Sequence, residues 1–248
     1  MTNSWTDFRI KQHKIAADLC CQIMESAFDL IRNNQEISEY EVQQFIVKQY
    51  AKNNMVSDGD PPIVAFRENT SFVHYFPEEA TAKKLTDNTL IMIDLWARLD
   101  EKDAPFADIT WMAWHGGEIP ADIQKGFDVT LLSRNKGLEF IKGKLIMGEV
   151  IFNKDLGDAT EYVIMASGLQ DFIPHAYGHS LGTTSCHGNL GVIHGRSETN
   201  LLNQVGYTIE PGIYIEGKYG FRSEIDFYIK NGQHLIVTTA VQKDLVRV

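Results

Sequence analysis

Asp94 lies inside the apolar run 90–97 (LIMIDLWA) and Asp108 inside 107–113 (ADITWMA), with the polar loop 98–103 between them. Glu210 lies in 207–215 (YTIEPGIYI) and Glu224 in 221–229 (FRSEIDFYI), joined by the turn-like 216–220 (EGKYG). Each set reads as a β-hairpin with one carboxylate on each arm. With the turns centred at about residues 101 and 217, Asp94 is expected to face Asp108 and Glu210 to face Glu224. Like charges directly opposite on a sheet are destabilising, and ionised carboxylates in apolar surroundings are costly unless paired. Two such pairs in one chain point to a cation held between the acids.

A third component lies between the hairpins. Residues 174–188 (PHAYGHSLGTTSCHG) place His175, His179 and His187 in a glycine-rich stretch. Carboxylates with one or more imidazoles suit Mn, Fe, Co or Zn better than Mg or Ca. Four carboxylates carry about four negative charges at neutral pH, enough to balance two divalent ions. Two-metal hydrolytic sites use bridging carboxylates in this way to share a water or hydroxide.

The elements that must position these groups are partly readable. Residues 7–32 have apolar spacing suited to a helix ended by Asn33-Asn34, and Ser38 with Glu41 forms a capping-box pattern before a second helix to about Asn53. The loop 57–62 (SDGDPP) leads into strands expected near 63–66 and 71–76, then the first acidic hairpin. Pro120 opens a helix expected to reach about residue 141, and another is expected near 156–167, before the histidine stretch and the second hairpin. Helices followed by strands, twice over, make an α+β chain. At 248 residues a single domain is expected, with room for two halves.

Composition narrows the partners. The net charge of −10, from 33 acidic against 23 basic residues, disfavours nucleic acid and anionic membrane. Three cysteines, with Cys20 and Cys21 adjacent, give no disulfide framework and fit a reducing compartment. The first residues contain no apolar signal-peptide core, and no run approaches a membrane span. A cytoplasmic address is expected.

The order Asp94, Asp108, His179, Glu210, Glu224, with IDLWA…ADIT, HAYGHSLG, TIEPGIY and GFRSE around them, resembles the pita-bread metallopeptidases: methionine aminopeptidase, aminopeptidase P and prolidase. The resemblance runs from about Asp7 to Ile229 and is nearer the proline-directed members. Residues 63–77 (IVAFRENTSFVHYFP) resemble their segment with a His-Tyr pair; His175 and Arg222 stand at two further marker positions. It implies a pseudo-twofold pita-bread fold, antiparallel sheets backed by helices, and a catalytic domain spanning 1–248. The additional N-terminal domain usual in the proline-directed relatives is not expected.

The resemblance also assigns roles. Asp94 would bind one metal ion and His179 the other, Asp108 and Glu224 would bridge, and Glu210 would bind one ion and shuttle a proton. His187 would stabilise the tetrahedral intermediate. His74 and His175 would line the substrate site, and Arg222 would orient Glu224 or hold a substrate carboxylate. The implied activity is removal of the N-terminal residue from peptides or dipeptides, those with proline second included, with two divalent ions, Mn first and Co, Zn or Fe as alternatives. A homodimer is compatible with the family.

Three departures bear on this. The spacing from His179 to His187 is one residue longer than usual, which makes His194 a weaker substitute for His187; the Asp94–Asp108 loop is also lengthened. Trp111 stands where relatives often have arginine. A metal-dependent hydrolase of a small non-peptide C–N bond is the alternative, since the fold also hosts creatinase, and a non-catalytic peptide-binding relative is a third. Cys186 beside His187 suggests a nucleophile, but no oxyanion loop or orienting acid accompanies it. Asp226 would share the face of Glu224 as a supporting acid or a solvated end.

Overall fold

Strand β3 (Thr89–Leu99) is buried on both faces, which is why its sequence is almost unbroken in apolar residues. Its odd positions, Ile91, Ile93, Leu95 and Ala97, pack into a core with Ala16, Ala17, Met24 and Phe28 of helix α1 (Asp7–Arg32) and Val42 and Ile46 of helix α2 (Glu39–Lys52). Its even positions point the other way: Leu90 and Met92 enter a second core with Phe127, Tyr214 and Phe221. The next two even residues are Asp94 and Trp96.

The computed structural model describes residues 4–169 and 173–248. Strands β1 (Met55–Val56) and β2 (Ile63–Phe66) both pair with β3, which pairs with β4 (Ala107–His115), all antiparallel; β12 (Val246–Arg247) adds to β4 in parallel. Helices α3 (Ala121–Met147) and α4 (Asn153–Ser167) pack together beside the second half. There β5 (His179–Leu181), β6 (His187–Val192), β7 (Gly206–Ile209), β10 (Ile225–Lys230) and β11 (His234–Val237) form a sheet in the order β11-β10-β7-β5-β6. Strands β8 (Gly212–Ile215) and β9 (Tyr219–Arg222) form a separate ribbon. Among the described residues, no helix is long and apolar enough to cross a membrane.

The caps explain the helix boundaries. Thr6 accepts from Arg9 N at the start of α1, Ser38 and Glu41 form the expected capping box, and Gly148 and Gly168 close α3 and α4 in the left-handed conformation. Helix α3 therefore runs to its glycine, beyond the expected end at 141, and α4 begins three residues before 156.

Two expectations about strands are corrected. No strand forms at 71–76. Residues Arg67–Ser71 make a 3-10 turn, in which Thr70 Oγ1 donates to Arg67 O and Ser71 Oγ to Glu68 O, local bonds that compete with a strand. The buried Glu39 carboxylate then accepts from Phe66 N, Asn69 Nδ2, Tyr75 OH and Lys83 N, fixing the irregular segment.

The first acidic hairpin also has a different register. Asp94 lies opposite Thr110, and Asp108 opposite Trp96. Pairing of Leu99 and Arg98 with β1 extends β3 and moves the turn centre one residue on. The two acids stay on one face but become diagonal neighbours, which avoids like charges directly opposite.

The second hairpin is interrupted at its acids. Pairs Ile209↔Ile225 and Gly212↔Arg222 belong to one continuous register, in which Glu210 falls opposite Glu224 as expected. Pro211 has no N–H for a ladder. Glu210 N donates instead to Tyr177 O, and Glu224 N to Thr110 O of the first sheet.

Candidate metal centre

The two sheets meet through this interruption. Thr110 O accepts from Glu224 N at 3.3 Å, Thr110 Oγ1 donates to Glu224 Oε2 at 2.8 Å, and Arg222 Nε donates to the same hydroxyl at 3.1 Å. Asp226 is fully buried, and its Oδ2 accepts from Asp108 N at 2.9 Å, so it is a support beneath Asp108 and not a solvated end. Asp94, Asp108, His179, Glu210 and Glu224 all line one cavity of ≈ 120 Å³, together with His74, His187, Trp96, Phe76 and Arg222.

His179 is set by the chain on both sides of it. Gly178 has φ +156°, and a Cβ there would lie 2.2 Å from Thr208 O, so only glycine fits. His179 N donates to Thr208 Oγ1 at 3.1 Å, and that hydroxyl donates on to Glu210 Oε1 at 3.2 Å. His179 Nδ1 lies 3.1 Å from Ser180 O, an acceptor, which assigns the proton to Nδ1 and leaves a lone pair on Nε2. Burial lowers the imidazole to about 4, so it is neutral. Nε2 faces Glu210 Oε1 at 3.3 Å and Asp108 Oδ2 at 3.7 Å.

Acceptors thus face acceptors. Donor atoms of Asp108, His179 and Glu224 lie within 4.8 Å of one another, and Asp94 Oδ1 and Asp108 Oδ1 are buried without a hydrogen-bond partner among the described residues. Burial, reinforced by the neighbouring carboxylates, pushes Asp108 and Glu224 well above the usual carboxylate range, and burial raises Glu210 to about 7. An array of oxygens plus one free imidazole nitrogen, with two buried oxygens lacking any donor among the described residues, fits divalent cations.

The remaining residues of interest separate into two groups. His187 and His74 line the cavity, with the His187 ring centroid 4.2 Å from that of His179. His175 stands behind Glu210: its Nδ1 donates to Ala176 O, its Nε2 accepts from Tyr214 OH at 3.0 Å, and Glu210 Oε2 is 4.0 Å from Nδ1. It borders a second cavity of ≈ 530 Å³, with Asp158, Glu161 and His194. His194 is therefore not placed to substitute for His187. Arg222 pairs directly with Asp94 and reaches Glu224 through the Thr110 hydroxyl, to which it donates and which donates on to Glu224 Oε2. Trp111 lies on the opposite face of β4, against the α1–α2 core, away from the cavity.

Cys186 is buried, and its thiol donates to Asp108 Oδ2 at 2.9 Å. Burial and then the Asp108 charge push the thiol pKa well up, the reverse of what a nucleophile needs. Three residues at the site escaped the sequence. Thr110 was within reach, since it lies two along from Asp108 on the same face. Thr208 and Asp58 carry no such signal.

Two sheets backed by helices, with carboxylates and one imidazole gathered between them, define a metal-dependent hydrolase architecture. The chain belongs to metallopeptidase family M24, whose model matches residues 11–231. It is 25% identical over 242 residues to an uncharacterized peptidase of Staphylococcus aureus, covering 96% of this chain and 63% of that protein. The chain thus spans somewhat less than two thirds of the curated relatives it matches. Its fold, the pita-bread fold, is that of the X-Pro aminopeptidase from Thermotoga maritima (TM-score 0.85, 23% identity, covering 99% of this chain and 64% of that one). A dipeptidase from Pyrococcus horikoshii is similar at TM-score 0.83 and 25% identity, over 99% of this chain and 64% of its own.

Proposed function

We propose that this chain is the catalytic unit of a peptidase that uses two divalent ions, manganese first among them, to remove the N-terminal residue of short peptides, proline-second peptides included. The observation that carries this is the convergence of buried acceptor atoms from Asp94, Asp108, His179, Glu210 and Glu224, two of whose carboxylate oxygens have no partner among the described residues. Asp94, Asp108, His179, Glu210 and Glu224 would hold the two ions between them. When bound, the ions supply Lewis-acid polarisation of the scissile carbonyl and an acidified water.

The other groups have separate tasks. Glu210, whose Oε1 lies 3.3 Å from His179 Nε2 on the cavity wall, moves a proton toward the leaving nitrogen. His187, on the cavity wall beside His179, donates to the oxygen that becomes negative during attack. His74 and Phe76 line the same cavity and would face the substrate, and His175 backs Glu210. Arg222 holds Asp94 in place and carries no free donor pair for a substrate carboxylate, since its nitrogens are engaged by Asp94, Thr110, Tyr214 and Val73 O.

The test is hydrolysis of a panel of Xaa-Pro and Xaa-Ala dipeptides and tripeptides by metal-stripped protein, with and without added Mn. Cleavage restored by Mn and abolished in Asp108→Ala supports the proposal, and the preferred peptides define the subclass. Stoichiometric metal binding without cleavage of any peptide overturns it in favour of a small-amide hydrolase.

A further inference from the structure

Asp58 sits in the loop between β1 and β2, in a segment whose sequence, SDGDPP, signals only a turn. Its carboxylate reaches the cavity and is engaged on both oxygens. Oδ1 accepts from Trp96 Nε1 at 2.7 Å; Oδ2 accepts from Cys186 N at 2.8 Å and from Ser185 Oγ at 3.1 Å. These donors come from two separate parts of the fold. Trp96 is the direct cross-strand neighbour of Asp108 on β3. Ser185 and Cys186 end the 182–186 turn, which is closed by Gly182 N donating to Cys186 O, and the next residue is His187.

The turn is fixed from outside by a carboxylate 128 residues away in sequence that takes the last backbone N–H before His187. A charged acceptor makes these bonds stronger than neutral ones. Burial works against the charge, yet the donors of Cys186, Trp96 and Ser185 hold Asp58 below the usual carboxylate value.

We infer that Asp58 is a positioning residue: it clamps the 182–186 turn to Trp96 and so sets where His187 stands beside His179. The role in catalysis rests on the peptidase reading, while the clamp itself does not. Misplacing a catalytic group by about 1 Å can cost on the order of 100-fold in rate. Asparagine at 58 keeps the shape but offers one acceptor oxygen and an NH₂ group to three donors.

The experiment is a double-mutant cycle joined to hydrogen exchange, on the metal-loaded chain. Asp58→Asn is expected to lower kcat by roughly 10- to 100-fold with metal content unchanged. In a His187→Ala background the same substitution is expected to cost less than about threefold, because the group it positions is already gone. Exchange at the Cys186 amide should quicken by about tenfold or more, with the β3–β4 amides unchanged. An equal loss in both backgrounds, or unaltered Cys186 exchange, overturns the inference. Should Asp58→Asn fail to fold, Ser185→Ala removes one donor and must show the same pattern at smaller size. Should the wild-type chain cleave no peptide, the proposed function falls and the exchange measurement alone decides the clamp.

Discussion

Arg222 and Asp94, 128 residues apart, form a buried ion pair that ties β9 to β3. The guanidinium also donates to Thr110 Oγ1, to Tyr214 OH and to Val73 O, so one side chain ties β3, β4, β8 and the Val73 segment to β9. Burial opposes its charge, and Asp94, Tyr214, Glu224 and Glu210 together more than offset this. Removing one partner of such a pair leaves the other buried and unpaired. Arg222→Ala is therefore expected to destabilise the metal-free protein by about 3–5 kcal/mol in urea unfolding. Arg222→Lys should recover little, since a point charge cannot serve all four acceptors.

Metal-free and metal-loaded protein should respond to pH in opposite directions. Glu210 rises from its ordinary 4.5 to about 7 on folding, with burial as the cause. A folded value above the unfolded one gives stability that is complete below about 4.5 and lost as pH climbs through about 7. Chelated protein should accordingly become easier to unfold between pH 5 and 7.5. Metal binding must expel the protons of Asp108, Glu210 and Glu224, so the rise in Tm produced by Mn should grow over the same range. Thermal melts at pH 5, 6 and 7.5, with chelator and with Mn, check both halves; a Mn effect independent of pH would contradict them.

His13 should govern stability on the acid side. It is fully buried on α1; Nδ1 donates to Phe106 O at 2.8 Å, and Nε2 accepts from Thr238 Oγ1 at 2.7 Å. Burial lowers it from 6.5 to about 4. A depressed value means stability that is complete above about 6.5 and lost as pH falls toward 4, up to roughly 3 kcal/mol. His13→Gln is expected to be less stable than wild type at pH 7.5, with the gap closing as the pH drops. Paired denaturant curves measure it.

Cys186 should be chemically quiet. Its thiol is buried and committed to Asp108. Iodoacetamide is expected to leave it unlabelled in the native protein, and Cys186→Ala should keep peptidase activity within about tenfold, the loss reflecting one hydrogen bond to a ligand carboxylate. Abolished cleavage with full metal content would reinstate the nucleophile.

Local signals carried much of the architecture. The Ser38–Glu41 capping box and the helix beginning at Asp7 were legible because caps and 3.6-residue spacing are local. The acids were conspicuous because charge inside apolar runs is expensive. The Asp94–Asp108 register was not legible, since it depends on β1, a two-residue strand that extends β3 into the loop as far as Leu99. The break at Glu210 and Glu224 was half visible in Pro211, but the partner that replaces the ladder, Thr110, lies in the other sheet. Tertiary bonds of this kind leave no periodic trace. The same holds for Arg222, whose true partner is Asp94, and for Asp58.

The bond from Glu224 N to Thr110 O makes the centre a joint product of both halves of the chain. Asp94 and Asp108 stand on the first sheet, while His179, Glu210 and Glu224 belong to the second half. The first half by itself carries two acids and no imidazole of the proposed set. On the proposed ligand set, metal loading would need residues from both halves up to Glu224, and would therefore report that the two halves have docked.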